Sequence, residues 1–190
     1  MEKVWSNVHH PTLSGKVQSS LWELLHRNFM CAYFEKIAFN GSGVCKLCNT
    51  IQNERTHIFV TCEIINRVYS LFLPLLNSIL EVNTMTQKEM IMGLDISNYE
   101  NGNRTILRNY VTSFIKHVVF RSRNSSFGND ETTVNTLAKK IKSAIRADIS
   151  SKFFMAKNTH KIDSFSGLFL FEGLLGSLRN DSITFTESIM

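Results

Sequence analysis

Residues 45–62, CKLCNTIQNERTHIFVTC, contain the pattern Cys-x2-Cys-x8-His-x4-Cys, formed by Cys45, Cys48, His57 and Cys62. Three thiolates and one imidazole can saturate a tetrahedral Zn²⁺ ion, which accepts sulfur and nitrogen ligands. The Cys-x2-Cys turn lets two sulfurs face one point, and the polar connector 49–56 must bring the histidine back to them. The spacing predicts a structural zinc site. Because four protein ligands leave no open coordination position, catalysis by this metal is not expected.

An alternative interpretation needs no metal. Free cysteines are often inert core residues, and His57 beside Ile58 and Phe59 could be a half-buried polar group. Four donors within 18 residues, beginning with Cys-x2-Cys, favour the zinc interpretation. The remaining cysteine, Cys31, is expected to be a buried thiol.

The sequence on both sides of residues 45–62, hereafter the metal segment, predicts helices. Apolar residues recur every three or four positions from Lys16 to Phe39, which indicates one or two helices that end at the turn 40–43, NGSG, where glycine is expected to take a positive φ. A further helix is expected from Glu63, with Pro74 ending or bending it. Similar periodicity predicts helices over 106–119 and 134–153. The fold class is therefore mainly α: a small helical domain with a CCHC zinc-binding loop and a basic helical extension.

Composition fits a globular chain, since 43% of the 190 residues are hydrophobic and only two are proline. The connector 98–103, NYENGN, is the best internal boundary. It predicts a metal-binding domain at 1–97, a basic helical extension at 104–157 and a C-terminal tail of uncertain order at 158–190. The sequence has neither a long apolar run nor the apolar core of a secretory signal, so we expect an intracellular location, nuclear or cytoplasmic, without a membrane partner.

The positive charge is concentrated in one part of the chain. Residues 101–160 hold 11 Lys/Arg and 3 Asp/Glu, giving +8, whereas residues 1–100 hold 8 and 9, giving −1. Clustered cations are expected of a protein that binds a phosphate backbone, although they also occur on solvated helix faces. The candidate contacts with RNA or single-stranded DNA are Arg104, Arg108, Lys116, Arg121, Arg123, Lys139, Lys140 and Lys142. Lys36, Lys46 and Arg55 could extend this surface beside the metal segment.

The chain also resembles a known family. The residues that carry the resemblance are VWSNVHHPTLSGKVQSSLWELLHRNF, the metal segment ending in ERTHIFVTC, INRVYSLF and SFIKHVVFRSRN. Together they resemble the C-terminal zinc-binding region, or reverse-transcriptase zinc-binding domain, of LINE-type non-LTR retrotransposon reverse transcriptases. The resemblance covers residues 5 to about 123, with a looser similarity to residue 165.

The resemblance implies specific residue roles. Cys45, Cys48, His57 and Cys62 fall on the family's zinc-ligand positions, Trp22 and His26 match the preceding helix, and Tyr69 stands where an aromatic residue is usual. It also implies that the region helps to engage template RNA or target DNA, with a reverse-transcriptase core as a possible partner in trans. The chain then looks like a fragment of an RNA-directed DNA polymerase polyprotein from a transposable element.

No enzyme activity is expected of the chain. It lacks the paired aspartates of a polymerase, because GLDI around Asp95 and RADI around Asp148 offer one each. The motifs GxxxxGK[ST], HExxH and GxSxG are also absent from the sequence. The expected function is that of a non-catalytic, zinc-binding, nucleic-acid-binding module. The alternative is a structural or protein-interaction module stabilised by zinc.

Overall fold

The protein is mainly α-helical. The computed structural model describes residues 6–26, 30–82, 86–125, 127 and 130–190. The helices are α1 (Gly15–Leu25), α2 (Ala32–Phe39), α3 (His57–Val60), α4 (Glu63–Ile79), α5 (Gln87–Met92), α6 (Gly102–Ser122), α7 (Asp130–Asn158) and α8 (Ile162–Phe169). Single 3₁₀ turns occupy Ile96–Asn98 and Phe171–Gly173. Strands β1 (Gly176–Arg179) and β2 (Ser182–Phe185) form an antiparallel hairpin in which Gly176 pairs with Phe185. The predicted fold class is confirmed.

Helix α6 is central to the structure. It packs against α1, α4 and α7, and its apolar residues Leu107, Val111, Ile115 and Val119 are fully buried. Polar residues on its other faces are buried too, so no face of the helix is wholly solvated. A helix surrounded in this way has no simple amphipathic pattern.

One apolar cluster includes residues from all three sequence segments. Ile65 from the first, Leu107 from the second and Phe169 from the third are each buried in it. Tyr110 of α6 makes an edge contact with Phe169 of α8, with ring centroids 5.2 Å apart. The predicted division of the chain into segments 1–97, 104–157 and 158–190 stays a prediction. Whatever its outcome, residues of all three segments contribute to one core.

Two local features differ from the sequence-based expectation. Asn40, rather than a glycine, adopts the left-handed conformation at the end of α2, with φ 53°, while Gly43 in the same turn does take a positive φ, 69°. Asparagine tolerates this region better than most residues because its short polar side chain bonds locally. Helix α4 also continues through Pro74 instead of ending there. Its buried residues on both sides, among them Phe72 and Leu76, keep it packed in the core.

The continuous α4 leads to a stability prediction. Pro74 is exposed and donates no hydrogen bond to the carbonyl of Ser70. Pro74→Ala is expected to stabilise the protein by about 2 kcal/mol, because restoring the helix bond outweighs the extra entropy gained by the unfolded chain. Urea denaturation measures the change, with Asn77→Ala, at another exposed position of α4, as the control. Destabilisation by Pro74→Ala would show that proline is required for the path of α4.

One described stretch, His57–Ile79, is by length and composition apolar enough to cross a membrane, with a mean hydropathy of 1.4 over its most apolar 18 residues. The stretch contains both α3 and α4, and 44% of those 18 residues are buried inside the fold. Helices of a protein core meet the same criterion, so this stretch gives no clear membrane signal.

Candidate metal centre

A tight reversal of the chain places Cys45 beside Cys48. Val44 and Ile51 form an antiparallel bridge, and the Cys45 N–H donates to the Thr50 carbonyl at 2.8 Å. Asn49 takes a left-handed conformation, with φ 57°, and donates back to the Cys45 carbonyl at 2.8 Å. The first two sulfurs are therefore positioned by backbone hydrogen bonds of a short turn.

The other two donors lie at adjoining helix ends. His57 is the first residue of α3, and Cys62 is the N-cap of α4. The Cys62 N–H donates to the His57 carbonyl at 2.9 Å, which closes the bend between the helices. Ile58 and Phe59 are each 1% exposed and hold this bend against the core. The apolar run between the two ligands thus orients both.

The four donors meet at one point. The ligand atoms of Cys45, Cys48, His57 and Cys62 all lie within 4.8 Å of one another, and Cys48 Sγ is 3.3 Å from His57 Nε2. Zn–S bonds of about 2.3 Å in a tetrahedron place sulfurs roughly 3.8 Å apart. The separations suit four ligands of one ion after small adjustments. The cluster is compatible with a metal site.

Neighbouring hydroxyl groups orient two of the donors. Thr61 Oγ1 lies 3.0 Å from His57 Nδ1. When Nδ1–H donates to this oxygen, the Nε2 lone pair is left for a metal, as outer partners of metal-binding histidines commonly arrange. The Thr50 hydroxyl lies 3.0 Å from Cys48 Sγ and can donate to the thiolate.

The electrostatics of the cluster favour a bound cation. A hydrogen bond from the Cys62 thiol lowers the pKa of Cys45. Burial opposes this shift, and hydrogen bonds from His57 and the backbone N–H groups of Cys48 and Leu47 add to it. The pKa of Cys62 is raised, first because its proton is shared with Cys45 and then by burial. A metal-free cluster therefore keeps a proton between these two sulfurs. Because several buried thiolates are costly without compensation, a divalent cation would replace that proton favourably.

Gln52 connects the metal segment to α2. Its side chain is 2% exposed, and its Oε1 accepts a hydrogen bond from the Tyr33 N–H at 3.0 Å. The N-cap residue of α2, Cys31, makes no side-chain cap bond. Gln52 therefore supplies a cap for α2 from the metal segment, a role that sequence spacing did not reveal. Cys31 is 2% exposed and remains outside the metal cluster, as expected.

Comparison of the chain with protein-family models, curated proteins and solved structures found no match. The resemblance to retrotransposon reverse transcriptases therefore stays a proposal.

Two of the predicted nucleic-acid contacts are wrong. Arg108 is 1% exposed and donates to the carbonyls of Leu76 and Leu80, at the end of α4. Lys116 is 3% exposed and donates from Nζ to the Ile91 carbonyl at 3.1 Å, in the last turn of α5. Both side chains donate to carbonyl groups at helix C-termini. Neither can reach a phosphate without leaving the core.

Two more predicted contacts are partly engaged within the protein. Arg104 forms an ion pair with Glu172. Arg123 donates from Nε to the Met30 carbonyl at 2.9 Å, and its guanidinium lies 4.1 Å from the Phe120 ring centroid. Phe114 and Phe120 are 3% and 2% exposed, so both are core residues and neither is available for stacking on a base.

The remaining predicted cations lie at the surface. Arg121, Lys139 and Lys140 are exposed, whereas Lys142 is half-buried. The structure adds Lys16 to the group near Arg121. Ser20 Oγ lies 2.8 Å from His117 Nδ1 and joins α1 to α6. The pKa of His117 is lowered by burial first and then by the charges of Arg121 and Lys16. Lys16 was missed because it comes from a segment with no excess of positive charge.

The family-implied aromatic positions lie near α1 and α4. Trp22 is 41% exposed and stacks on His26, with ring centroids 4.0 Å apart. Burial raises the pKa of Tyr69, whose hydroxyl oxygen is also buried.

Proposed function

We propose that this chain is a non-catalytic zinc-binding module that contacts RNA or single-stranded DNA mainly through backbone charge. The observation that carries the proposal is the meeting of three thiols and one imidazole at a single point. Soft sulfur donors with one imidazole suit Zn²⁺, and four of them complete its coordination. The zinc would fix the turn 45–52 relative to α3 and α4.

The surface charges support contact with a polyanion. Lys16 and Arg121 both lie near His117 and form one positive region across α1 and α6. Lys139 and Lys140 are consecutive exposed residues of α7. Cations that neutralise phosphates release condensed counterions, so their contribution to affinity depends on salt and little on base sequence. The proposal accordingly specifies a phosphate backbone and no base sequence.

The proposal extends to origin and partner on the strength of the sequence resemblance. A zinc-binding region of a non-LTR retrotransposon reverse transcriptase would hold template RNA or target DNA for a polymerase core. The paired polymerase aspartates, which residues 1–190 lack, would belong to that core. Co-purification with a reverse-transcriptase core would support this part of the proposal.

Salt dependence tests the charge-based contact. The triple variant Arg121→Gln, Lys139→Gln, Lys140→Gln is expected to reduce the slope of log affinity against log salt by about 2 for a single strand. Fluorescence anisotropy with a labelled oligouridylate measures both slopes. The control triple variant Lys157→Gln, Lys161→Gln, Arg179→Gln removes equal charge at other exposed positions. Equal slopes for both triples, or no binding at low salt, would refute the assigned surface.

A second candidate function is a protein-interaction module. Phe154 and Met155, consecutive residues late in α7, are 65% and 64% exposed. Exposed large apolar groups of this kind favour a protein partner when they form part of a wider patch. No binding to the oligouridylate at low salt, together with a stable complex with a reverse-transcriptase core, would favour this candidate.

A further inference from the structure

A surface cleft lies beside the metal segment. It has a volume of about 320 Å³ and is lined by Tyr33 and Ile37 of α2 and by Glu54, Arg55 and Thr56 of the connector. The connector residues immediately precede the metal ligand His57. The cleft therefore lies between α2 and a segment whose path depends on the metal cluster.

The lining combines flat, apolar and polar groups. The Arg55 guanidinium lies 5.0 Å from the Phe34 ring centroid, so it already stacks on one aromatic ring while lining the cleft. Tyr33 is half-buried, and Ile37 is 65% exposed. Aromatic rings and guanidinium planes are the groups on which unpaired bases stack.

The polar groups narrow the choice of ligand. Glu54 brings a carboxylate to the cleft, which disfavours a phosphate there but accepts a hydrogen bond from an exocyclic amino group. The Thr56 hydroxyl can donate or accept at the edge of the same ligand. Exposed Lys36 and Lys46, on α2 and in the metal turn, are available for phosphates outside the cleft. A flat ligand with apolar faces, an amino edge and an anionic backbone satisfies all of these groups.

We propose that this cleft binds one unpaired, amino-bearing base of a single-stranded nucleic acid. The inference rests on the proposed function, because the phosphate contacts elsewhere on the surface deliver the strand. The cleft would add a base-binding site to a module that otherwise contacts the strand through charge. The hydrogen bond from Tyr33 N–H to Gln52 joins α2 to the connector just before Glu54, so metal binding and base binding are expected to be coupled.

Base-bearing and abasic strands of equal charge test the inference. The full-length protein is titrated with labelled oligocytidylate as RNA, its DNA counterpart and an abasic deoxyribose-phosphate oligomer of the same length. Base stacking of the usual strength predicts about tenfold tighter binding of the two cytidylates than of the abasic strand. The RNA and DNA arms show which source is preferred. Oligouridylate, which lacks the amino group, is expected to bind more weakly than oligocytidylate.

Substitutions of cleft residues test whether the preference for base-bearing strands arises in the cleft. Arg55→Gln and Tyr33→Leu are expected to reduce cytidylate binding toward the abasic level, whereas Arg179→Gln, which removes the same charge from β1, keeps the preference. Glu54→Gln is expected to remove most of the difference between cytidylate and uridylate. Because Tyr33→Leu could disturb α2, circular dichroism checks its fold, and the half-exposed Arg55 supplies an independent test.

The outcomes separate this inference from the proposed function. Equal, salt-dependent binding of base-bearing and abasic strands would overturn the cleft and leave the charge-based function standing. An Arg55→Gln effect no larger than that of Arg179→Gln would overturn it as well. Failure of every strand to bind at low salt would overturn both.

Discussion

Purified protein is expected to carry about one zinc ion per chain, and Cys48→Ser is expected to lose it. Cys48 is the half-exposed member of the cluster, so replacing its sulfur with oxygen disturbs the core little. The variant therefore tests coordination more than packing. Elemental analysis of the dialysed protein gives the zinc content directly.

The matched control is Cys31→Ala. Cys31 is buried at 2% exposure but does not belong to the metal cluster. Its loss is expected to cost about 1 kcal/mol of stability, as for a small buried hydrophobe, and to leave the zinc content unchanged. Zinc loss in both variants would indicate general unfolding. A zinc-free protein with an intact fold would favour the interpretation of the four residues as ordinary core groups.

Zinc removal is expected to have the largest effect on stability. Apparent binding free energies of structural zinc in finger peptides are about 10–16 kcal/mol, and binding free energy at such a site becomes folding free energy. The turn 45–52 is expected to depend on zinc for its structure, because Leu47 and Gln52 are the main side chains that the turn buries apart from its cysteines. Helices α4, α6 and α7 also pack directly against one another and are expected to persist.

Hydrogen exchange distinguishes these regions. After chelation, three backbone amides are expected to lose protection: Cys45 and Asn49, which donate within the turn, and Gln52, which donates to the Gly43 carbonyl just before it. Amides in the middle of α6 are expected to keep theirs. Uniform loss of protection would mean that the metal stabilises the whole core, and unchanged protection in the turn would mean that no metal holds it.

The metal cluster was predictable because its signal is local. Cys45, Cys48, His57 and Cys62 lie within 18 residues, and the spacing limits where their side chains can meet. The hydrogen bond from Tyr33 to Gln52 was not predictable in the same way, since it joins positions 19 residues apart without any motif. Helix bounds were predicted approximately. The passage of α4 through Pro74 was not, because tertiary packing of residues on both sides outweighs the local cost.

The roles of the α6 cations could not be assigned from the sequence. Residues 102–122 contain no Asp or Glu. This composition is typical of a surface that binds phosphate groups. In the structure, carbonyl groups at the ends of α4 and α5 receive Arg108 and Lys116 in place of phosphates. Apolar periodicity identified one buried face, but it could not show that neighbouring helices cover the opposite face as well. The basic segment thus combines internal helix caps with a smaller set of exposed cations.

Lys116→Met is expected to stabilise the protein near neutral pH, with an effect that shrinks as pH rises. Burial lowers the pKa of Lys116 from 10.5 to about 7. Between these values the unfolded chain binds a proton that the folded protein lacks, so the free energy of unfolding of the native protein rises with pH. At about 1.4 kcal/mol per pKa unit, the full rise is up to about 5 kcal/mol, and below pH 7 this contribution becomes flat.

The methionine variant removes this titration while filling a similar volume. Around Lys116 the structure places Val8, Leu21, Leu25 and other uncharged groups, with no titratable neighbour among the lining residues. The variant is therefore expected to exceed the native protein in stability near pH 7, and the two are expected to converge toward pH 10.5. Urea denaturation across this pH range gives the difference in free energy of unfolding between the two proteins. Titrations of groups that both proteins contain cancel in this difference. Lys139→Met, at an exposed position, is the control and should show no such convergence. Parallel profiles for Lys116→Met and the native protein would mean that Lys116 stays charged in the fold, with the Ile91 carbonyl and nearby water compensating its burial.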